Sequence, residues 1–438
     1  MQAPPSNMQD AGARRRVLMV AFQFPPLAGT SGVQRTLRFV QHLPSLGWQP
    51  IVLSAHPRAY VETSQDLLAE VPPGTVVTRA FSLDTARHLA IAGRYPGFLA
   101  RPDRWSTWAL GAVPAGLRLI RKYRPDVIWS TYPIATAHLI AQRLHDLTGI
   151  PLVADFRDPM THVGYPPDPA TWKAFRDIEA RTVRSAARVV MVTQSARALY
   201  QDRYPDVPPS RFSIVENGYD EEAFVAAESV LDRSALTPGR FTILHSGIVY
   251  PSERDPRALF AALGRMRGQG RIDATRLRLR FRAPVHGDLL RQLAQESGTS
   301  DLLEILPPVS YGEALQEMLR ADGLLVMQGA NCNEQVPAKL YEYFRARRPI
   351  LGLADPGGDT GKVMMQAGVA HVAPLEDSHQ VQAAFERYLA EAPLASVAAP
   401  RGMVESMSRR ARAQALAQVF AEESLAVAAS TPSAKLPC

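Results

Sequence analysis

The stretch GLLVM (323–327), followed closely by EQVPAKLYEYFRARRP (334–349), decides how this chain is read. The first piece is a short apolar run of buried-strand type. The second has a proline near its first turn and apolar residues at helical spacing from Val336 to Arg345. A helix start leaves backbone N–H groups unpaired and carries a positive partial charge, so it receives phosphate readily. Glu334 stands before this helix and Glu342 lies within it, eight positions on. A carboxylate on such a flank can accept paired hydrogen bonds from a ribose diol, and Lys339 can neutralise a phosphate. The plain alternative is that Glu342 and Arg345 form a solvated helix face.

Outward from this stretch the same alternation covers most of the chain. Before it come VLMVAF (17–22), PIVLS (50–54), TVVTRA (75–80), DVIWST (126–131), PLVADF (151–156) and RVVMVT (188–193), most of them separated by helical segments. After the Asn217-Gly218 turn signal follow FTILHS (241–246), RLRLRF (276–281), LLEIL (302–306), GLLVM (323–327), PILGLA (349–354) and VAHVAP (369–374). This is the signature of parallel α/β architecture, repeated twice. Two doubly wound Rossmann-like domains facing a cleft are therefore expected, over 14–220 and 221–405. The boundary belongs near 217–240, where turn formers and charges interrupt the rhythm. A terminal helix over 406–425 is expected to pack back on the first domain, and 1–13 and 426–438 read as disordered tails.

At 438 residues, with 46% apolar and 21% charged residues, the chain fits a packed protein of two ordinary domains. No uninterrupted apolar run reaches the length of a membrane span, and the N-terminus MQAPPSNMQDAGARRR lacks a signal-peptide core. A cytoplasmic protein is expected, possible also at the inner face of the membrane. Cys332 and Cys438 support neither a disulfide framework nor a zinc site. Charge is uneven: residues 1–220 carry 25 Lys and Arg against 17 Asp and Glu, whereas the remainder carries 24 against 25. The excess suits an anionic membrane surface or a lipid pyrophosphate, and no motif points to nucleic acid.

Five motifs in order across roughly residues 15–400 resemble the retaining glycosyltransferases of family 4, which have the GT-B fold, in the type that builds bacterial cell-surface polysaccharides. FPPLAGTSGVQRTLRFVQHLPSLGW (24–48) is similar to that family's first strand, glycine loop and long helix, with Gly29 and Gly32 where the family more often has adjacent glycines. GIPLVADFRDP (149–159) is similar to a strand ending in an Asp beside the ligand edge, here Asp158. IVENGYDEEAF (214–224) matches the hinge pattern, with Asn217, Gly218, Asp220 and Phe224. In ILHSGIVYPSERDPRALFAAL (243–263), Ser246, Gly247 and Arg254 occupy the places of donor-pyrophosphate contacts, with Arg for the commoner Lys. The fifth motif is the opening stretch: the resemblance implies that Glu342 binds ribose hydroxyls and that Glu334 lies near the donor sugar, although Gln335 departs from the family's Glu-Gly-Phe-Gly form.

The resemblance implies transfer of a sugar, with retention, from a nucleotide-diphosphate sugar to a saccharide or lipid-linked saccharide in polysaccharide or glycolipid synthesis. UDP is the favoured nucleotide. Arg254, Lys339, the amide of Gly247 and the helix start at Pro337 are expected to stabilise the departing diphosphate, and Asp158 to bind an acceptor hydroxyl or act as base. No cofactor and no metal are expected, since the sequence has neither a D-x-D triplet nor zinc spacing. Thr131 and Tyr132 stand where many family members have a histidine. His245 reads as a strand-end residue satisfied by backbone. A cluster of nine Lys and Arg over 79–124, interleaved with Phe81, Tyr95, Phe98, Trp105 and Trp108, suits an anionic bilayer. Two other functions compete, a nucleotide-sugar epimerase and a non-catalytic nucleotide-sugar-binding subunit of an assembly complex. A dehydrogenase is disfavoured because Gly29-x-x-Gly32 is not G-x-G-x-x-G.

Overall fold

A computed structural model describes residues 15–28, 30, 32–162, 164–392 and 399–430. The first seven strands are β1 (Arg15–Val20), β2 (Trp48–Ala55), β3 (Val76–Ala80), β4 (Val127–Thr131), β5 (Leu152–Arg157), β6 (Arg188–Met191) and β7 (Phe212–Ile214). They form one parallel sheet in the order β3-β2-β1-β4-β5-β6-β7. The remaining strands are β8 (Phe241–Ser246), β9 (Leu277–Arg282), β10 (Leu303–Leu306), β11 (Gly323–Gln328), β12 (Ile350–Ala354) and β13 (His371–Ala373). These form a second parallel sheet in the order β10-β9-β8-β11-β12-β13. Every strand expected from sequence is present, with ends displaced by at most two residues. Strand β7 was not foreseen, because a three-residue FSI run has no pattern to read and pairs only at the sheet edge with β6.

The chain divides into two compact units. One holds the described residues up to Met191, Arg197–Val215 and the stretch from Ala413; the other holds Val192–Ala196 and Glu216–Arg412. The last helix, Arg409–Ser430, extends five residues past the expected limit of 425, so the tail foreseen from 426 begins as helix. The tail expected over 1–13 lies outside the described residues. In the first unit Trp48 meets Phe420 of this helix edge-on at 5.3 Å, and Arg188 pairs with Glu422 and Glu423. Ala413, Leu416 and Phe420 thereby join the core made by Val17, Met19, Phe39 and Trp129.

The central strands of both sheets, such as β4, β11 and β12, are buried on both faces, which is why they read as largely apolar runs, whereas the outer β3, β9 and β10 are interrupted by polar residues. In the second unit successive residues serve opposite layers. Ile243, Leu325 and Met327 pack with Leu259 and Phe260 of the helix Arg257–Gly268, whereas Leu244, Leu324 and Val326 pack with Leu340 and Phe344 of the helix Ala338–Ala346. The helix that follows β8 and the helix that follows β11 therefore lie on opposite faces of the sheet, although β8 and β11 are paired neighbours. Connections diverging from adjacent strands open a crevice at their carboxyl ends.

In the first unit the buried Arg35 guanidinium reaches from the helix Gly32–His42 to both carboxylate oxygens of Asp155 on β5, at 2.9 and 3.0 Å, and to the carbonyl of Val215 at 2.8 Å. Neither side chain is appreciably exposed. Breaking such a pair strands a buried charge. Arg35→Met is expected to lower the stability of this unit by about 3–5 kcal/mol, read as a shifted urea midpoint; an unchanged midpoint would show that the pair contributes no net stability.

Candidate functional site

Gly247 follows β8 directly, and the loop 329–337 follows β11, so both border the crevice of the second unit. The two loops are tied together: Gly329 N–H donates to the carbonyl of Glu253 at 2.6 Å, and the Asn331 amide donates to the carbonyl of Ser252 at 2.7 Å. The helix Ala338–Ala346 starts from Pro337, whose fixed φ and extended ψ end the loop and turn the chain into the helix. Its Tyr343 hydroxyl accepts the N–H of Ser246 at 2.9 Å, which locks the end of β8 to the helix. Gly247 has φ +105°, and a Cβ there would lie 3.1 Å from Lys339 Nζ. A side chain at 247 would thus occupy the space that the lysine amine uses.

One expectation needs correction. The amide of Gly247 donates to the carbonyl of Arg282 at 2.8 Å, continuing the β8–β9 ladder. It is not turned to the crevice, and the contribution of this glycine is space rather than a hydrogen bond.

Lys339 Nζ lies 3.2 Å from His245 Nε2. The other ring nitrogen, Nδ1, is 3.0 Å from the carbonyl of Leu325, which can only accept, so Nδ1 carries the hydrogen and Nε2 is the acceptor for the amine. The backbone of Leu325 and of Ile248 both hydrogen-bond the imidazole, and Lys339 is its side-chain neighbour. Burial holds its pKa well below the usual imidazole range, with Lys339 and Arg254 adding to the effect. Lys339 itself is brought down to about 7 by burial and then by the Arg254 guanidinium, against the opposing pull of Glu342. Arg254 is largely buried, stacks 5.4 Å over Tyr250 and lies 3.9 Å from Glu253. Two basic side chains are thereby held together beside a neutral histidine.

Glu342 completes the group. Tyr311, on the helix Tyr311–Arg320, donates its hydroxyl to Oε1 at 2.9 Å. Burial raises the Glu342 pKa, while Arg409, the tyrosine and Lys339 draw it down. Tyr311 is pushed well above the ordinary phenol range by burial and by the adjacent carboxylate. Tyr311 and Arg409 belong to no motif and no local signal marks them, whereas His245 lies within the fourth motif without a role assigned there. Asp220, from the hinge pattern, caps the helix Glu221–Ser229 through Ala223 N–H at 3.1 Å, so its work is structural. Glu334 is exposed on its side chain, and its carbonyl accepts the Thr193 hydroxyl at 2.6 Å. No group of three or more His, Cys, Asp or Glu among the described residues could hold a metal ion.

In the first unit Asp158 lies just past β5 at the carboxyl edge of the sheet, half-buried. Burial raises its pKa, opposed by Arg157 and Arg35 and assisted by Asp155. Gly32 opens its helix so close to Gln23 and Arg157 that a Cβ would collide with both. Gly29 lies outside the described residues. His138 hydrogen-bonds Ser130 Oγ at 2.8 Å, and burial alone takes it to about 3, so it is a neutral core residue. The aromatic cluster over 79–124 also changes on inspection. Trp108 is fully buried, and Trp105 packs in a tilted contact on Phe22 at 4.7 Å with its indole N–H on the carbonyl of Ala59, so neither tryptophan faces outward. Phe81, Tyr95 and Phe98 are exposed, joined by Ile91 and Leu110.

A sequence model of Glycosyltransferase Family 4 matches residues 31–223. No curated protein matches the chain in sequence. Among solved structures, the sucrose-phosphate synthase of Thermosynechococcus elongatus superposes with a TM-score of 0.67 at 14% identity, over 95% of this chain and 100% of that one. HepE of Anabaena, solved with UDP and glucose, gives 0.57 at 11%, over 95% and 99%. The UDP-GlcNAc 2-epimerase of Methanocaldococcus jannaschii gives 0.56 at 10%, over 93% and 99%. Together with the two parallel sheets, these likenesses establish the two-domain, Rossmann-like GT-B fold.

A lysine whose pKa is depressed in the folded chain stabilises it above the unfolded pKa, and that contribution is lost as pH falls through about 7. Lys339→Met is therefore expected to raise the thermal midpoint of the ligand-free protein at about pH 6.5, and to raise it less at about pH 9. A lower midpoint for the variant at the acidic pH would refute the strained-cation account.

Proposed function

We propose that this chain is a glycosyltransferase that moves a sugar from a nucleotide-diphosphate sugar, with UDP favoured, to a saccharide or lipid-linked saccharide acceptor, retaining anomeric configuration and serving polysaccharide or glycolipid synthesis. The observation that carries this reading is the meeting of Gly247, Arg254, Lys339 and Glu342 at the crevice between β8 and β11. Two cations beside a helix start suit a diphosphate. A carboxylate with one oxygen held by Tyr311 keeps its other oxygen for a sugar hydroxyl. The match of the Family 4 sequence model to residues 31–223 favours transfer, and the bound UDP and glucose of the Anabaena neighbour favour UDP.

In this mechanism the sugar–phosphate bond breaks and negative charge grows on the distal phosphate. Arg254, Lys339 and the helix start at Pro337 stabilise that charge, a role that needs no metal. The leaving phosphate takes the acceptor proton, or Asp158 does; its raised pKa suits it to that task. Glu334, exposed on the loop after β11, is assigned to the donor sugar.

The acceptor side is assigned to the first unit. Ile91, Phe98 and Leu110 are strongly exposed among Arg94, Arg101, Arg118, Arg121 and Lys122, a mixture that suits peripheral docking on an anionic bilayer. The epimerase neighbour keeps a second reading open, in which the same donor site isomerises a nucleotide sugar.

A panel of nucleotides and nucleotide sugars is expected to give a thermal shift with one nucleoside diphosphate, abolished by Glu342→Ala and by Arg254→Ala. No shift with any nucleotide would remove the reading, and an isomerised nucleotide sugar in the absence of acceptor would select the epimerase. Joint charge reversal, Arg118→Glu with Arg121→Glu and Lys122→Glu, is expected to cut sedimentation with phosphatidylglycerol vesicles by about tenfold or more, given about 1 kcal/mol per cation; unchanged sedimentation would remove the docking surface.

A further inference from the structure

His245 is buried, lies inside the fourth motif without a role assigned to it there, and sets its Nε2 3.2 Å from Lys339 Nζ. The charged groups that act on the amine are Arg254 and Glu342. Arg254 approaches from the loop after β8, and Glu342 stands one turn further along the same helix as Lys339, with Tyr311 and Arg409 behind it. Phe281 on β9 packs against the imidazole at 5.7 Å. Burial first, then Lys339 and Arg254, hold the imidazole below its usual range and outweigh the backbone of Leu325 and Ile248, which favours the protonated ring. It therefore remains an acceptor whether the amine is neutral or charged, and it aims the amine at the space beside Gly247.

We propose that His245 is a positioning residue for Lys339 and that the pair couples binding of a nucleoside diphosphate to uptake of one proton from solvent. The inference rests on the donor-site reading above. Without an anionic partner the amine is drawn down to about 7 by burial and by Arg254, so a share of it is neutral near pH 7.5. An entering diphosphate supplies the missing anionic partner, so the amine gains a proton, no other bond changes, and the ammonium then bridges Nε2 and a phosphate oxygen. The sign is diagnostic, because cations acting on the phosphate alone would drive protons off it.

The test is calorimetric titration of the full chain at about pH 7.5 with whichever of UDP, GDP or ADP binds, in buffers of different ionisation enthalpy. Uptake of roughly half a proton or more per site is expected. Lys339→Arg, permanently charged, is expected to bind with no proton uptake. His245→Leu is expected to weaken binding about tenfold, and His245→Gln, which keeps an acceptor, to restore it. Binding without proton uptake in the native chain would overturn the coupling while leaving the transferase reading intact. Equal affinity in His245→Leu would overturn the positioning role. Absence of binding by all three nucleotides would remove both. Circular dichroism checks each variant, and if the leucine variant is unfolded, the proton counts of the native chain and Lys339→Arg decide the coupling.

Discussion

Strands β8 and β11 are hydrogen-bonded neighbours whose following helices pack on opposite faces of the sheet, because alternate residues of each strand feed different cores. That divergence is the constraint on which the site depends. It brings the turn at Gly247, the loop before Pro337 and the start of the helix Ala338–Ala346 to one edge. Once they are there, close packing does the rest. The tyrosine at 343 fixes the strand end, and the missing Cβ at 247 leaves room for the amine of Lys339.

The electrostatics of the crevice are unfavourable without an anionic partner. Two basic groups are held near each other with limited solvent, a neutral histidine serves one of them, and a carboxylate whose pKa burial raises stands nearby. Such an arrangement lowers stability unless an anion fills it, which is the usual cost of a site built to bind charge. The buried Arg35–Asp155 pair in the first unit shows the contrasting case. There the cation has its carboxylate partner within the chain and no ligand is called for.

Much of the fold was legible because parallel strands buried on both faces are continuous apolar runs, and because Pro337 and the glycines mark where runs end. Lys339 and Glu342 were legible as candidates because they follow a helix start after an apolar strand, and Gly247 through the family resemblance of its segment. The partnership of Lys339 with His245 was not. Ninety-four positions separate them, and neither residue type signals the other. The amide of Gly247 was misassigned from sequence because the ladder to Arg282 is visible only when β9 is in place. Trp105 and Trp108 stand in a basic, aromatic segment that suits a bilayer, yet Phe22 and the core claim both.

The sequence by itself determined the alternation of strands and helices, the two-unit plan and the residue types at each ligand edge, all of which are local consequences of hydrophobic period and turn chemistry. Only the tertiary structure decided which neighbours those residues meet: that Lys339 rests on a neutral imidazole, that Glu342 is held by Tyr311, and that Gly247 gives space rather than a hydrogen bond. These are outcomes of strand order, and strand order depends on crossovers between distant segments that no local pattern encodes.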